Sequence, residues 1–127
     1  MTVAVAIAGA SAAAAEQGQL AEAADEAEKA SGLAPGDLRA YAAKADACVQ
    51  LKQFRRAADA LEKMASLQPL NPTIYLSLGD VLYQNGDAGT ARQQWQKARQ
   101  LVAAGDSELI AALDVRLSGA ITAETFK

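Results

Sequence analysis

Asp46 and Asp80 are the two side chains whose type and spacing come nearest to a catalytic pattern, carboxylates 34 residues apart. Two carboxylates facing one surface can divide acid and base work when an apolar pocket splits their pKa values. Nothing around these two supplies such a pocket, so they read as polarity on a shared surface. Other chemistry is scarce. The chain has no histidine, which removes the commonest general base and metal ligand. One cysteine, Cys48, rules out an intrachain disulfide and a zinc constellation. It falls on an inward helical position, where a small hydrophobe suits better than a reactive thiol. The glycines form neither a phosphate-cradling loop nor a dinucleotide fingerprint, since Gly86 and Gly89 belong to a turn between helices. The expectation is a chain with no catalytic, cofactor or metal site.

What positions the two aspartates is a period. Ala23, Ala57 and Ala91 recur at a step of 34 residues. The same step links Ser11, Ala45 and Gly79, then Ile7, Tyr41 and Tyr75, then Leu33, Leu67 and Leu101, and also Pro35 with Pro69. A fixed period of this size marks a stacked helical array. Three units tile residues 4–37, 38–71 and 72–105, each read as two helices joined by a short turn. In the third, Asn71 caps, Pro72 takes the first helical position and Asn85-Gly86-Asp87 makes the turn. The second helix of that unit follows from Ala88 to Val102, with Trp95 and Ala98 inward. The second unit has Asp37 as cap, helices Leu38 to Gln50 and Phe54 to Leu67, and a stop at Gln68-Pro69. The first unit has its turn at Gly18, a second helix from Leu20 to Ala30, and Gly32 with Pro35 as its stop.

The alanines have a mechanical role in this reading. Ala23, Ala57 and Ala91 face Ser11, Ala45 and Gly79 where the two helices of a unit cross, and small residues let the axes approach. Leu61, Trp95, Leu67 and Leu101 fill the seams between units. Residues 106–127 add a helix from Asp106 or Ser107, with Leu109, Ile110, Leu113 and Leu117 on one side. Thr122 to Phe126 is then one more turn or the stub of a further domain.

These positions resemble the tetratricopeptide repeat (TPR) family. In the third unit Tyr75, Leu78, Gly79, Leu82, Gly86, Ala91, Trp95 and Ala98 occupy its signature places. The middle unit supplies Tyr41, Ala45, Leu51-Lys52 at the turn, Phe54, Ala57, Leu61 and Pro69. The first keeps Ser11, Gly18, Leu20, Ala23, Ala30 and Pro35. The departures are Lys44 for an inward leucine, Met64 for a small residue and Ala103 for the closing proline. The resemblance implies an all-α solenoid of three antiparallel helical hairpins, closed by a C-terminal capping helix in 106–127. It implies a non-catalytic scaffold that holds a peptide or helix of another protein in a concave groove.

Carried onto this chain, the groove face offers Arg39, Ala42, Asp46, Val49 and Gln50 from the second unit. The third unit offers Thr73, Leu76, Asp80, Tyr83 and Gln84, and the first offers Val5, Ala8, Ala12, Ala15 and Glu16. The chaperone-tail members of the family hold a terminal carboxylate with Lys, Asn and Arg. Here the matching places are Ala8, Ala12, Ala43, Thr73 and Ser77, which form no positive clamp. The expected ligand has apolar side chains and a basic residue near Asp46 and Asp80.

Charge and the first helix widen the choice. Net charge is −3, against a nucleic-acid partner, which needs clustered Lys and Arg. The charge is divided: residues 1–37 hold six acids and one base, and 38–105 hold nine bases and five acids. Val3 to Ala15 is almost wholly apolar, but no Lys or Arg precedes Glu16, so it lacks the basic start of a secretory signal. It is also shorter than the ~20 apolar residues that cross a membrane. Membrane insertion is not expected. The compartment is unknown, the cytoplasm being favoured over the periplasm. A helix apolar all round is normally buried, so Val3, Val5, Ile7, Ala8 and Ala12 are candidates for self-association, as a homodimer or within a larger solenoid. A substrate-recognition arm of a larger enzyme is the third reading. The alanine- and arginine-rich composition has a bacterial character.

Overall fold

The computed structural model describes the backbone of residues 2–122 and 124–126 and the side chains of residues 16–122 and 124–126. Among them the helices are α1 (Thr2–Leu33), α2 (Leu38–Gln50), α3 (Phe54–Leu67), α4 (Pro72–Gln84), α5 (Ala88–Leu101) and α6 (Ser107–Leu117). No strand occurs among the described residues, and the chain is all-α.

Local chemistry sets most of these boundaries. Asp37 and Asn71 precede α2 and α4, and their side chains accept the N–H groups of Arg39 and Thr73 at 3.0 and 3.1 Å. Asp87 and Asp106 do the same for α5 and α6 through Thr90 and Leu109. Each cap satisfies a backbone donor that the helix itself leaves open, typically worth about 1 kcal/mol. The tight turns after α2 and α4 place Lys52 and Gly86 in the left-handed region, at φ of 60° and 89°. Glycine fits this conformation without strain, whereas lysine holds it at a cost.

Bonds recur at the step seen in the sequence. Tyr41 donates its hydroxyl to the Pro35 carbonyl at 3.0 Å, and Tyr75 donates to Pro69 at 2.8 Å. The Gln53 N–H reaches the Cys48 carbonyl at 2.8 Å, as Asp87 reaches Leu82 at 2.9 Å. Each helix packs on the next in the chain. In the α4–α5 hairpin Lys97 lies over the Tyr75 ring while Gly79 faces Ala91, so the two helices run antiparallel. A Cβ at Gly79 would overlap the Trp95 indole and come within 3.0 Å of the Ala91 carbonyl. That crossing is as close as the alternation of small residues implies. Trp95, Leu113 and Cys48 are the largest fully buried side chains.

The first unit departs from expectation. No turn forms at Gly18, and α1 runs unbroken from Thr2 to Leu33. A lone glycine costs a helix only about 1 kcal/mol, and no Asn, Asp or Pro beside Gly18 offers a competing turn. So the first expected hairpin is one long helix. The alanine register shifts with it. Ala57 and Ala91 are fully buried, but Ala23 is exposed, and Ala24 and Ala27 face inward instead. Ala23 would have faced the other arm of its hairpin, and that arm is the continuation of its own helix. Leu67, expected in a seam, is also exposed.

Charge joins α1 to its neighbours. Lys44 Nζ lies 3.0 Å from Glu28, and Arg56 reaches Asp25 at 3.0 Å and Glu28 at 3.5 Å. The acidic first segment and the basic middle of the chain therefore attract within one molecule. Lys44 stands where leucine was expected because its stem packs while its ammonium meets α1.

Candidate functional site

The residues expected to line a groove divide into three groups. Ala42, Asp46 and Val49 of α2 face Ser77 and Val81 of α4 across a cleft of about 290 Å³, with Ala45, Leu61 and Met64 completing its walls. Helical spacing explains the α2 row, since 42, 46 and 49 fall on one face. The lining is mostly apolar. Asp46 is its exposed carboxylate, and among the described residues it accepts a 3.2 Å bond from Gln50 and meets no cation.

A second group is engaged elsewhere. Arg39 turns back to its own cap, with Nε 3.2 Å from Asp37. Thr73 is exposed, and its N–H is used in capping. Leu76 packs against the core. Gln84 donates to the Asp80 carbonyl at 3.2 Å.

Asp80 is the third case. Its carboxylate receives Arg116 Nε at 2.6 Å, Arg116 Nη2 at 2.9 Å and the Trp95 indole Nε1 at 3.0 Å. The Asp80 and Arg116 side chains are 19% and 10% exposed. Burial pushes the Asp80 carboxyl above its ordinary value, against the opposing pull of Arg116 and Trp95. Arg116 also donates Nη1 to the Ala112 carbonyl at 2.9 Å, which fixes the guanidinium plane. Asp80 is therefore a structural anion that ties α6 to the α4–α5 hairpin, not an open groove carboxylate. The expected pair has separated into one solvated acid and one neutralised acid.

Tyr83 sits between two rings, with Trp95 at 5.7 Å and Phe126 at 5.6 Å between centroids. Phe126 also lies 5.6 Å beneath the Arg116 guanidinium. Arg116 and Phe126 are the residues that the sequence reading missed. Arg116 had a signal: it follows Leu113 by three positions on the side of α6 that buries Leu109, Leu113 and Leu117. A lone arginine on an apolar face needs a buried anion. Phe126 belongs to no periodic element and had no such signal.

The Cys48 thiol is buried, and burial pushes its pKa up, so it is poorly suited to act as a nucleophile. Among the described residues no group of three or more Cys, Asp or Glu converges as a metal site requires. No helix of the described residues is long and apolar enough to cross a membrane. The candidate self-association residues Val3, Val5, Ile7, Ala8 and Ala12 have side chains outside the described residues, as do Val5 and Ala15 of the expected groove face. Glu16 is exposed. No family model matches the chain, and no curated protein matches it.

Proposed function

We propose that the protein is a tetratricopeptide-type scaffold without catalytic activity, holding a peptide or helical segment of another protein against the α2–α4 face. The observation that carries this reading is the cleft bounded by Ala42, Asp46, Val49, Ser77 and Val81. At about 290 Å³ it lies just below the usual range for small-molecule pockets and matches one or two apolar side chains. Asp46 at its rim favours a basic residue in the ligand. The bonds recurring at 34 residues support the repeat assignment.

Selection from a random peptide library on immobilised protein tests the proposal. Enriched peptides should bind the wild type and lose about tenfold or more with Ser77→Arg, which fills the cleft. Circular dichroism on that variant confirms folding. Enriched peptides that bind both proteins equally would overturn the groove reading.

A second reading keeps one specific observation. An α-helix rises 1.5 Å per residue, so the 32 residues of α1 span about 48 Å and the 13 of α2 about 20 Å. α2 can flank less than half of α1, and the other half carries the apolar run Val3 to Ala15. Self-association through that segment is the alternative role. Light scattering after size exclusion, with Ile7→Glu beside the wild type, separates the two: a dimer lost in the variant supports assembly.

A further inference from the structure

The far end of the proposed groove is shaped by the segment that follows α6. Past α6 the chain reverses. Gly119 takes a φ of 81°, its N–H reaches the Arg116 carbonyl at 3.4 Å, and the Ala120 N–H reaches Val115 at 3.2 Å. This pair of bonds ends the helix and sends the chain back toward α4. Ile121 and Thr122 then line a cleft of about 480 Å³ with Tyr83, Gln84 and Phe126. Phe126 also closes a smaller cleft of about 200 Å³ with Val49, Ser77 and Val81. Those three residues are shared with the groove cleft itself. One phenyl ring of this chain is thus seated at the end of the surface proposed to bind partners.

The seat is built for an aromatic ring. Tyr83 offers a tilted ring contact and Arg116 a cation over the face, both favourable beyond plain burial. Arg116 is held by Asp80 through an ion pair that does not involve Phe126, so the seat does not depend on the ring for its geometry. The segment carrying Phe126 is not helical, and a turn bond from the Thr125 N–H to the Thr122 carbonyl at 3.1 Å organises it locally. A ring held this way can leave without unfolding a helix.

Resting on the scaffold reading, we infer that Phe126 is an intramolecular occupant of an aromatic subsite formed by Tyr83 and Arg116, and that a partner peptide binds by placing its own aromatic side chain there. The tether keeps the local concentration of Phe126 high, on the order of millimolar for a short flexible link. It therefore sets a threshold that a partner must exceed.

The single tryptophan gives the readout, because the Trp95 indole N–H bonds Asp80 beside the seat. The probe is a synthetic peptide of residues 118–127, titrated against the ¹⁵N-labelled full chain carrying Phe126→Ala. The indole cross-peak should move saturably back toward its wild-type position. The same peptide should bind wild type about tenfold more weakly, and a peptide with alanine for its phenylalanine should have no effect. An indole peak unmoved up to millimolar peptide, or moved equally in wild type, overturns the inference. If Phe126→Ala does not fold, Phe126→Leu carries the same titration. Failure here leaves the peptide-library result standing, whereas a failed library selection removes the partner and leaves only the intramolecular seat that this titration reads, so the two failures are distinguishable.

Discussion

Arg116 and Asp80 form a two-point ion pair across 36 residues of sequence, with the Trp95 indole as a third donor to the same carboxylate. The pair joins α6 to the α4–α5 hairpin at a half-dry position. Its weight lies less in the attraction than in what its loss would leave. Removing one partner strands a charge that water reaches poorly, at a cost of 3–5 kcal/mol for fully buried pairs. Residual exposure of both side chains lowers this to about 3 kcal/mol.

The first prediction follows. Arg116→Ala should destabilise the fold by about 3 kcal/mol in chemical denaturation. The double variant Arg116→Leu with Asp80→Leu should recover more than half of the loss, because neither charge remains to be stranded. A cost for Arg116→Ala below about 0.5 kcal/mol would mark the pair as an ordinary surface contact.

The register of α1 yields the second prediction. Ala57 is fully buried and Ala23, one repeat step earlier, is exposed. Ala57→Leu should overpack its crossing and cost about 1–3 kcal/mol. Ala23→Leu should stay within about 0.5 kcal/mol of wild type. Thermal melts of the two variants side by side decide it. Equal costs would mean that Ala23 is covered as the strict repeat implies.

How far the sequence reached depended on how local the determinant was. Caps at Asp37 and Asn71 and the turn at Asn85-Gly86-Asp87 act over a few residues, and the helices between them fall where composition places them. The all-α class follows from the same features. At Gly18 the period extends into a segment lacking the turn chemistry of the later units, so the period alone cannot show that the helix continues. The cleft residues Ala42, Asp46 and Val49 were legible because one helical face carries them. Asp80 was legible as a position and not as a role: its partner lies on α6, outside the repeat, at a separation that no period encodes. Phe126 reaches the groove by a chain reversal at Gly119, which is a property of backbone conformation and not of pattern.

Stability should respond to acid through Glu28. The Lys44 ammonium, which bonds its carboxylate, and then Arg56 hold its pKa below the ordinary 4.5. A lowered folded-state value means stabilisation that is fully present above the unfolded value and is lost as pH falls through the folded one. Glu28→Gln should therefore be less stable than wild type at pH 7, and the two should converge below pH 4.5. Urea melts across that range measure the difference, which salt should also reduce. Asp80 acts with the opposite sign, since burial raises its value, so its contribution does not mimic the convergence. Parallel curves for the two proteins at every pH would refute the assignment.

The same division of charges predicts which ligands the proposed groove would accept. With Asp80 neutralised by Arg116, Asp46 is the carboxylate exposed on the cleft. Among the described residues lining this cleft, Asp46 is the anion a basic residue in a bound peptide would meet, in a solvated setting where a pair contributes about 0.2–1 kcal/mol, so up to about fivefold in affinity. Peptides enriched from the library should carry Lys or Arg beside their apolar residues. Asp46→Asn should weaken them by up to fivefold at low salt, with the loss shrinking as salt rises. Asp46→Lys should reverse the preference toward acidic peptides. Asp80→Asn should lower the melting temperature while leaving the preference for basic peptides intact, because its charge is spent inside the fold. Calorimetric titration of one peptide against the three variants at two salt concentrations tests all of this. Binding that ignores Asp46 and follows Asp80 would mean that the Arg116 pair opens when a ligand arrives.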